Sequence, residues 1–168
     1  MKEKIRDIYD RAMRLDSEPD EGFTQCAGAL LSTDAVSGLA KYVQHDSIDR
    51  LQHITGVAYL TYRLCKSAGL EYETAAKAAV LHDLFYYDWH EKNGGHRLHG
   101  YRHPGFAVKN AKSLCGGLDE KTENIIKRHM WPLTPTPPKY KEGFILCFAD
   151  KYCATRELIR CQKQKHGK

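Results

Sequence analysis

Apolar positions recur along the chain at helical spacing, and the breaks between them are short and polar. Ile5, Ile8, Tyr9, Met13 and Leu15 predict a first helix over residues 2–15. Ser17-Glu18-Pro19-Asp20-Glu21-Gly22 reads as a loop. Residues 23–31 are apolar and small, and fit a short helix or packed coil. Ser32-Thr33-Asp34 offers caps for a helix through about Val43, after which His45 to Asp49 turns the chain. The next helix, about Asp49 to Ala68, carries Leu51, Ile54, Val57, Ala58, Leu60 and Leu64 on one face, with Gly69 as its stop. Glu73 and Thr74 open a helix in which Ala75, Ala76, Ala78, Ala79, Val80, Leu81 and Leu84 are apolar almost all round, which predicts a central, buried element.

Downstream, Phe85, Tyr86, Tyr87 and Trp89 lead into a polar loop that holds His90, Asn93-Gly94-Gly95, His96 and His99. His103-Pro104 starts a further helix through Phe106, Ala107, Val108 and Ala111 to Leu114, ending near Gly116-Gly117. Asp119 caps a helix carrying Ile125, Ile126 and His129. Pro132, Pro135, Pro137 and Pro138 form a stiff connector to a last helix from about Lys139 to Gln162. There is no internal repeat and no strand-like alternation. The pattern predicts an all-α fold of about six to eight helices.

Composition narrows the class. A chain of 168 residues suits one domain with a real core. No apolar run approaches the roughly 18 residues of a membrane span, and Met1-Lys2-Glu3-Lys4-Ile5-Arg6 leads into mixed charges, not a signal-peptide segment. A cytoplasmic protein with no membrane partner is the expectation. The six cysteines form no Cys-x-x-Cys and read as small buried hydrophobes, not as disulfides or a zinc knuckle. The net charge of +5 fits an anionic small substrate and a solvated surface equally well. Basic residues are spread along the chain without a basic helix or stripe, which disfavours a nucleic-acid partner. Homo-oligomerisation stays open.

The chemistry concentrates where the apolar run Ala78-Ala79-Val80-Leu81 delivers His82-Asp83 into the core. Burying an imidazole beside a carboxylate is costly unless something pairs with both. A structural hydrogen bond between the two is one answer; a divalent metal (Mn, Fe, Co, Ni, Zn or Mg) is the other. His53, His82, Asp83 and Asp150 lie on three different predicted helices, each on or beside an apolar face. Helix bundles build metal sites from inward side chains on facing helices.

The order His53 … His82-Asp83 … Asp150 resembles the HD-domain superfamily of metal-dependent phosphohydrolases, over roughly residues 45–160. The resemblance implies the HD helical bundle: one domain over residues 1–168, with its HD core at about 45–160 and a helical extension at 1–44. It further implies that His53, His82, Asp83 and Asp150 hold one metal, and that Asp83 bridges to a second completed by His103 and His129, so that one or two ions are bound. Asp83 and His82 would then be central to catalysis. The substrate would be a small phosphorylated metabolite, a nucleotide or another phosphate ester, attacked by a metal-activated water. Arg102, Arg128 and Lys151 are candidate substrate contacts, with Arg97 and Lys139 as further cations; each also reads as a solvated charge, and Lys151 is expected to point some 100° from Asp150. The Gly-Tyr-Pro signature of HD-type cyclic-dinucleotide phosphodiesterases is missing, with only a partial echo in His99-Gly100-Tyr101-Arg102. His45, His90, His96 and His99 fall outside the pattern, and Tyr86, Tyr87 and Trp89 read as core or lid packing. Two alternatives stand beside the hydrolase: an HD-fold di-iron oxygenase, and a binding or regulatory module with a structural metal.

Overall fold

The computed structural model describes residues 20–45, 48–91 and 98–166. The first predicted helix, residues 92–97 with His96 and Arg97, and the side chains of His45 and of residues 163–166 lie outside the described residues. Seven α-helices stand among the described residues: α1 (Glu21–Leu31), α2 (Asp34–Ser37), α3 (Arg50–Ser67), α4 (Tyr72–Leu81), α5 (His99–Cys115), α6 (Glu120–Arg128) and α7 (Lys141–His166). A small antiparallel hairpin, β1 (Val43–His45) with β2 (Ile48–Asp49), leads into α3. Its strands are too short to show alternation in sequence. The fold is all-α, as the hydrophobic periodicity predicts.

Two helices organise the core. All of Ala75, Ala76, Ala78, Ala79, Val80 and Leu81 on α4 are buried, and their small side chains let α1, α3 and α6 approach. Helix α3 buries Ile54, Val57, Ala58 and Leu60 against α4 and α7. Each fully buried leucine or isoleucine stabilises the fold by ~1.5–3 kcal/mol relative to exposure. Helix α3 begins with a reciprocal cap: the Asp49 side chain accepts from Gln52 N at 2.8 Å, and Asp49 N donates to the Gln52 amide oxygen at 3.1 Å. Four of the six cysteines are buried and all six are free thiols. Among the described residues no helix is long and apolar enough to cross a membrane.

Three expectations need correction. The helix expected through about Val43 stops at Ser37 and continues as a 3₁₀ turn, Gly38–Lys41, which seats Leu39 in the core before β1. Helix α5 starts at His99, four residues before the expected His103-Pro104, so Pro104 lies inside it. Stacking of the His99 ring on His103 one turn later, at 4.5 Å and 18°, joins the early turn to the helix. Lastly, α4 ends at Leu81, which leaves His82 and Asp83 in the turn beyond it and not within the helix.

Candidate metal centre

Local structure aims each histidine. His53 follows the capped first turn of α3 and is 1% exposed. His82 is the C-cap of α4, and its Nδ1–H donates to Ala79 O at 2.7 Å. His129 is the C-cap of α6, and its Nδ1–H donates to Ile126 O at 2.7 Å. A helix leaves its last carbonyls without intrahelical donors, and a histidine after the last turn satisfies one of them. His103, on α5, uses Nδ1 toward His99 O at 3.0 Å. His53 directs Nδ1 at both oxygens of Glu157, at 3.1 and 3.0 Å. A carbonyl oxygen only accepts, so the ring proton of His82, His103 and His129 sits on Nδ1 and Nε2 carries the lone pair in the neutral ring.

The four Nε2 atoms converge on two carboxylates. His53 Nε2 lies 3.2 Å from Asp150 Oδ1, and His82 Nε2 lies 3.7 Å from the same oxygen. Asp83 Oδ1 lies 3.2 Å from His103 Nε2 and 3.7 Å from His129 Nε2, while Asp83 Oδ2 lies 3.8 Å from His82 Nε2. Three groups of donors each lie within 4.8 Å of one another: His53, His82 and Asp83; His82, His129 and Asp150; Asp83, His103 and His129. His53, Asp83, His103, His129 and Asp150 floor a cavity of about 410 Å³ whose walls include Gln44, Trp89, His99, Met130 and Lys151, while His82 lies behind them.

The chemistry of this donor set fits a divalent cation. His82 Nε2 is buried with no hydrogen-bond partner. His103 Nε2 and His129 Nε2 face each other at 2.8 Å, an arrangement that repels until a proton or a cation sits between the lone pairs. Burial pushes the His129 imidazole down to about 3, with the rings of His103 and His82 adding to the effect. Burial works to raise Asp83, but His82, His103 and His129 outweigh it and hold the carboxyl well below the usual range. His53 and His82 do the same for Asp150. Burial lowers His53, yet Glu157 and Asp150 carry it well above the ordinary imidazole value, and Asp83 and Asp150 likewise raise His82. Ionised carboxylates and ring lone pairs at one point are what a hard-to-borderline cation binds.

All six residues of the proposed ligand set, His53, His82, Asp83, His103, His129 and Asp150, are therefore brought together. The outer cations divide. Lys151 lines the cavity and donates to His129 O at 3.0 Å, although it follows Asp150 on the helix. Arg102 is exposed with its guanidinium over Phe106, and Arg128 is half-buried on α6; neither lines the cavity. Lys139 is exposed and pairs with Glu120. His90 is exposed on Asp88, whereas His99 lines the cavity and meets the Tyr87 hydroxyl at 3.0 Å. Sequence reasoning missed Glu157, Gln44 and Arg50. Glu157 stands seven residues after Asp150, two helical turns along the same face, a spacing that marks it. Gln44 lies on a strand too short to announce a buried face.

A model described as "HD domain" matches residues 50–155. A protein of Bacillus subtilis (strain 168) named "Putative phosphohydrolase YueE" is 40% identical over 50 residues, which is 30% of this chain and 27% of that relative. The chain thus matches about a quarter of the length of this curated relative. No solved structure matches. A family match over most of the chain, with its histidines and aspartates gathered round one cavity, places the chain in the HD domain family.

Proposed function

We propose that the chain is a metal-dependent phosphohydrolase acting on a phosphate ester of a nucleotide or other small phosphorylated metabolite. The observation that carries this reading is that six buried or mostly buried donors form overlapping groups, five of them at the floor of an open cavity with a lysine on its wall. His53, His82, Asp83 and Asp150 would hold one divalent ion, and His103 and His129, with Asp83, would hold a second. Such an ion, when bound, would supply a water of lowered pKa and a Lewis acid for a phosphoryl oxygen. The chain's own part is placement. The Nδ1 bonds fix the ring planes and keep Nε2 on the centre. Asp83 and Asp150 stay ionised to balance cationic charge. The Lys151 ammonium is within the cavity to meet a phosphate, leaving its bond to His129 O. Gathering charge and water at one face supplies the orientation that phosphoryl transfer needs.

The test is metal content per chain for wild type and Asp83→Ala, purified without chelator and reconstituted, followed by a phosphate-release screen over nucleotides and sugar phosphates. Two equivalents of Mn, Co, Ni, Zn or Mg in the wild type, none in Asp83→Ala with an unchanged helical spectrum, and phosphate release by the wild type are expected. Two equivalents of iron with oxygen uptake and no phosphate release overturns the hydrolase. Absence of bound metal in reconstituted wild type overturns the metal centre.

A further inference from the structure

Among the described residues Arg50 is the largest fully buried side chain, at 0% exposure, and no carboxylate of theirs lies within 4.0 Å of its guanidinium. A buried cation needs its N–H groups satisfied. Arg50 Nη1 donates to Phe85 O at 2.7 Å and Nη2 to Tyr87 O at 3.2 Å, which pins the backbone just after His82-Asp83. The guanidinium also lies 3.7 Å from the Phe85 ring centroid and 4.8 Å from that of Tyr42. Its Nε donates to Gln44 Oε1 at 3.0 Å, and Gln44 Nε2 donates to Asp83 Oδ2 at 2.9 Å. Arginine only donates and a carboxylate only accepts, so the amide has a single consistent orientation. Gln44 is 7% exposed and couples a buried cation to a buried anion through one amide.

That amide decides how Asp83 presents itself. A carboxylate turns easily about its last bond. With Oδ2 held by Gln44, Oδ1 faces His103 and His129, and Oδ2 faces His82. We infer that Gln44, oriented by Arg50, is a positioning residue that splits the two oxygens of Asp83 between the two halves of the centre and thereby sets its affinity for divalent ions. This rests on the metal-binding reading proposed above.

The test is Mn(II) binding to the full chain, by equilibrium dialysis and electron paramagnetic resonance, for wild type, Gln44→Met and Gln44→Asn. Methionine keeps the length of glutamine without its amide; asparagine keeps the amide but is too short to reach both partners, and serves if the methionine variant fails to fold. Circular dichroism of the metal-free proteins reports folding. Both variants are expected to fold and to bind Mn(II) about 10–100-fold more weakly, the usual effect of losing a partner behind a ligand, with changed Mn(II) spectra. Wild-type Mn(II) affinity and spectra in folded variants overturn the inference and leave the metal centre standing, as does a raised KM at unchanged Mn(II) affinity, which makes Gln44 a substrate contact. No Mn(II) binding by wild type overturns both.

Discussion

A buried imidazole has two nitrogens, and what holds one decides what the other can do. His53 is the one ring of the centre whose Nδ1 rests on a carboxylate, Glu157, instead of a backbone carbonyl. A carboxylate behind a histidine raises its basicity and fixes its orientation. Replacing Glu157 by Gln keeps an acceptor but removes the charge. The expected result is Mn(II) affinity lower by about 10-fold with little change in helical content, read by calorimetric titration; undiminished affinity would assign Glu157 to folding alone. His53, His82, Asp83 and Asp150 are legible in the sequence because each is a polar residue on or beside an apolar face, an arrangement that demands a partner, whereas His103 and His129 stand in polar surroundings and are picked out only by the resemblance to the HD family. Gln44 and Arg50 are not legible, since a lone glutamine in a loop and an arginine at a helix start both look solvated until the fold buries them, the Arg50 guanidinium between the Phe85 and Tyr42 rings and the Gln44 amide between Arg50 and Asp83.

At the level of elements, periodicity predicts α3, α4, α6 and α7 well, because each buries one face or all of it, while the small apolar residues of α1 fit a helix or a packed coil equally and bury only Ala27. Its failures fall at ends. Nothing in Leu81-His82-Asp83-Leu84 marks a stop, and α4 ends there because the His82 side chain takes the Ala79 carbonyl and Asp83 turns toward Gln44. Helix α5 gains a turn through ring stacking between side chains, which propensity does not see. The start of α3 is the element most closely tied to the centre, for the Asp49–Gln52 cap precedes His53 directly. Asp49→Ala removes the acceptor for Gln52 N and is expected to lower stability by ~1 kcal/mol. Urea unfolding of the metal-free protein measures it, and a change near zero would show that tertiary packing alone sets the first turn of α3.

For the whole molecule, the centre ties stability to pH, and the signs are fixed by the shifts. Asp83 and Asp150 are held well below 3.8, so their contribution is present above that value and is lost as pH falls through the lowered ones. His129, pushed down to about 3, resists a proton that the unfolded chain accepts below 6.5, and so lowers stability on the acid side. His53 and His82 lie above 6.5 in the fold; their contribution is complete below 6.5 and is lost as pH rises through the raised values. Metal-free protein should therefore be most stable near 6.5 and lose stability in both directions, in thermal unfolding scans across pH. A bound divalent ion replaces the ring protons, so the decline on the alkaline side should vanish when Mn(II) is added; a decline that persists with metal bound contradicts the assignment of His53 and His82. The backbone bonds behind the other rings carry a further consequence, for variation over generations. No substitution of a side chain deletes the carbonyl of Ala79, His99 or Ile126. The aim of His82, His103 and His129 is thus sheltered from point mutation, while that of His53 and Asp83 hangs on Glu157 and Gln44. Drift in metal preference among descendants of this chain has its easiest paths through those two positions.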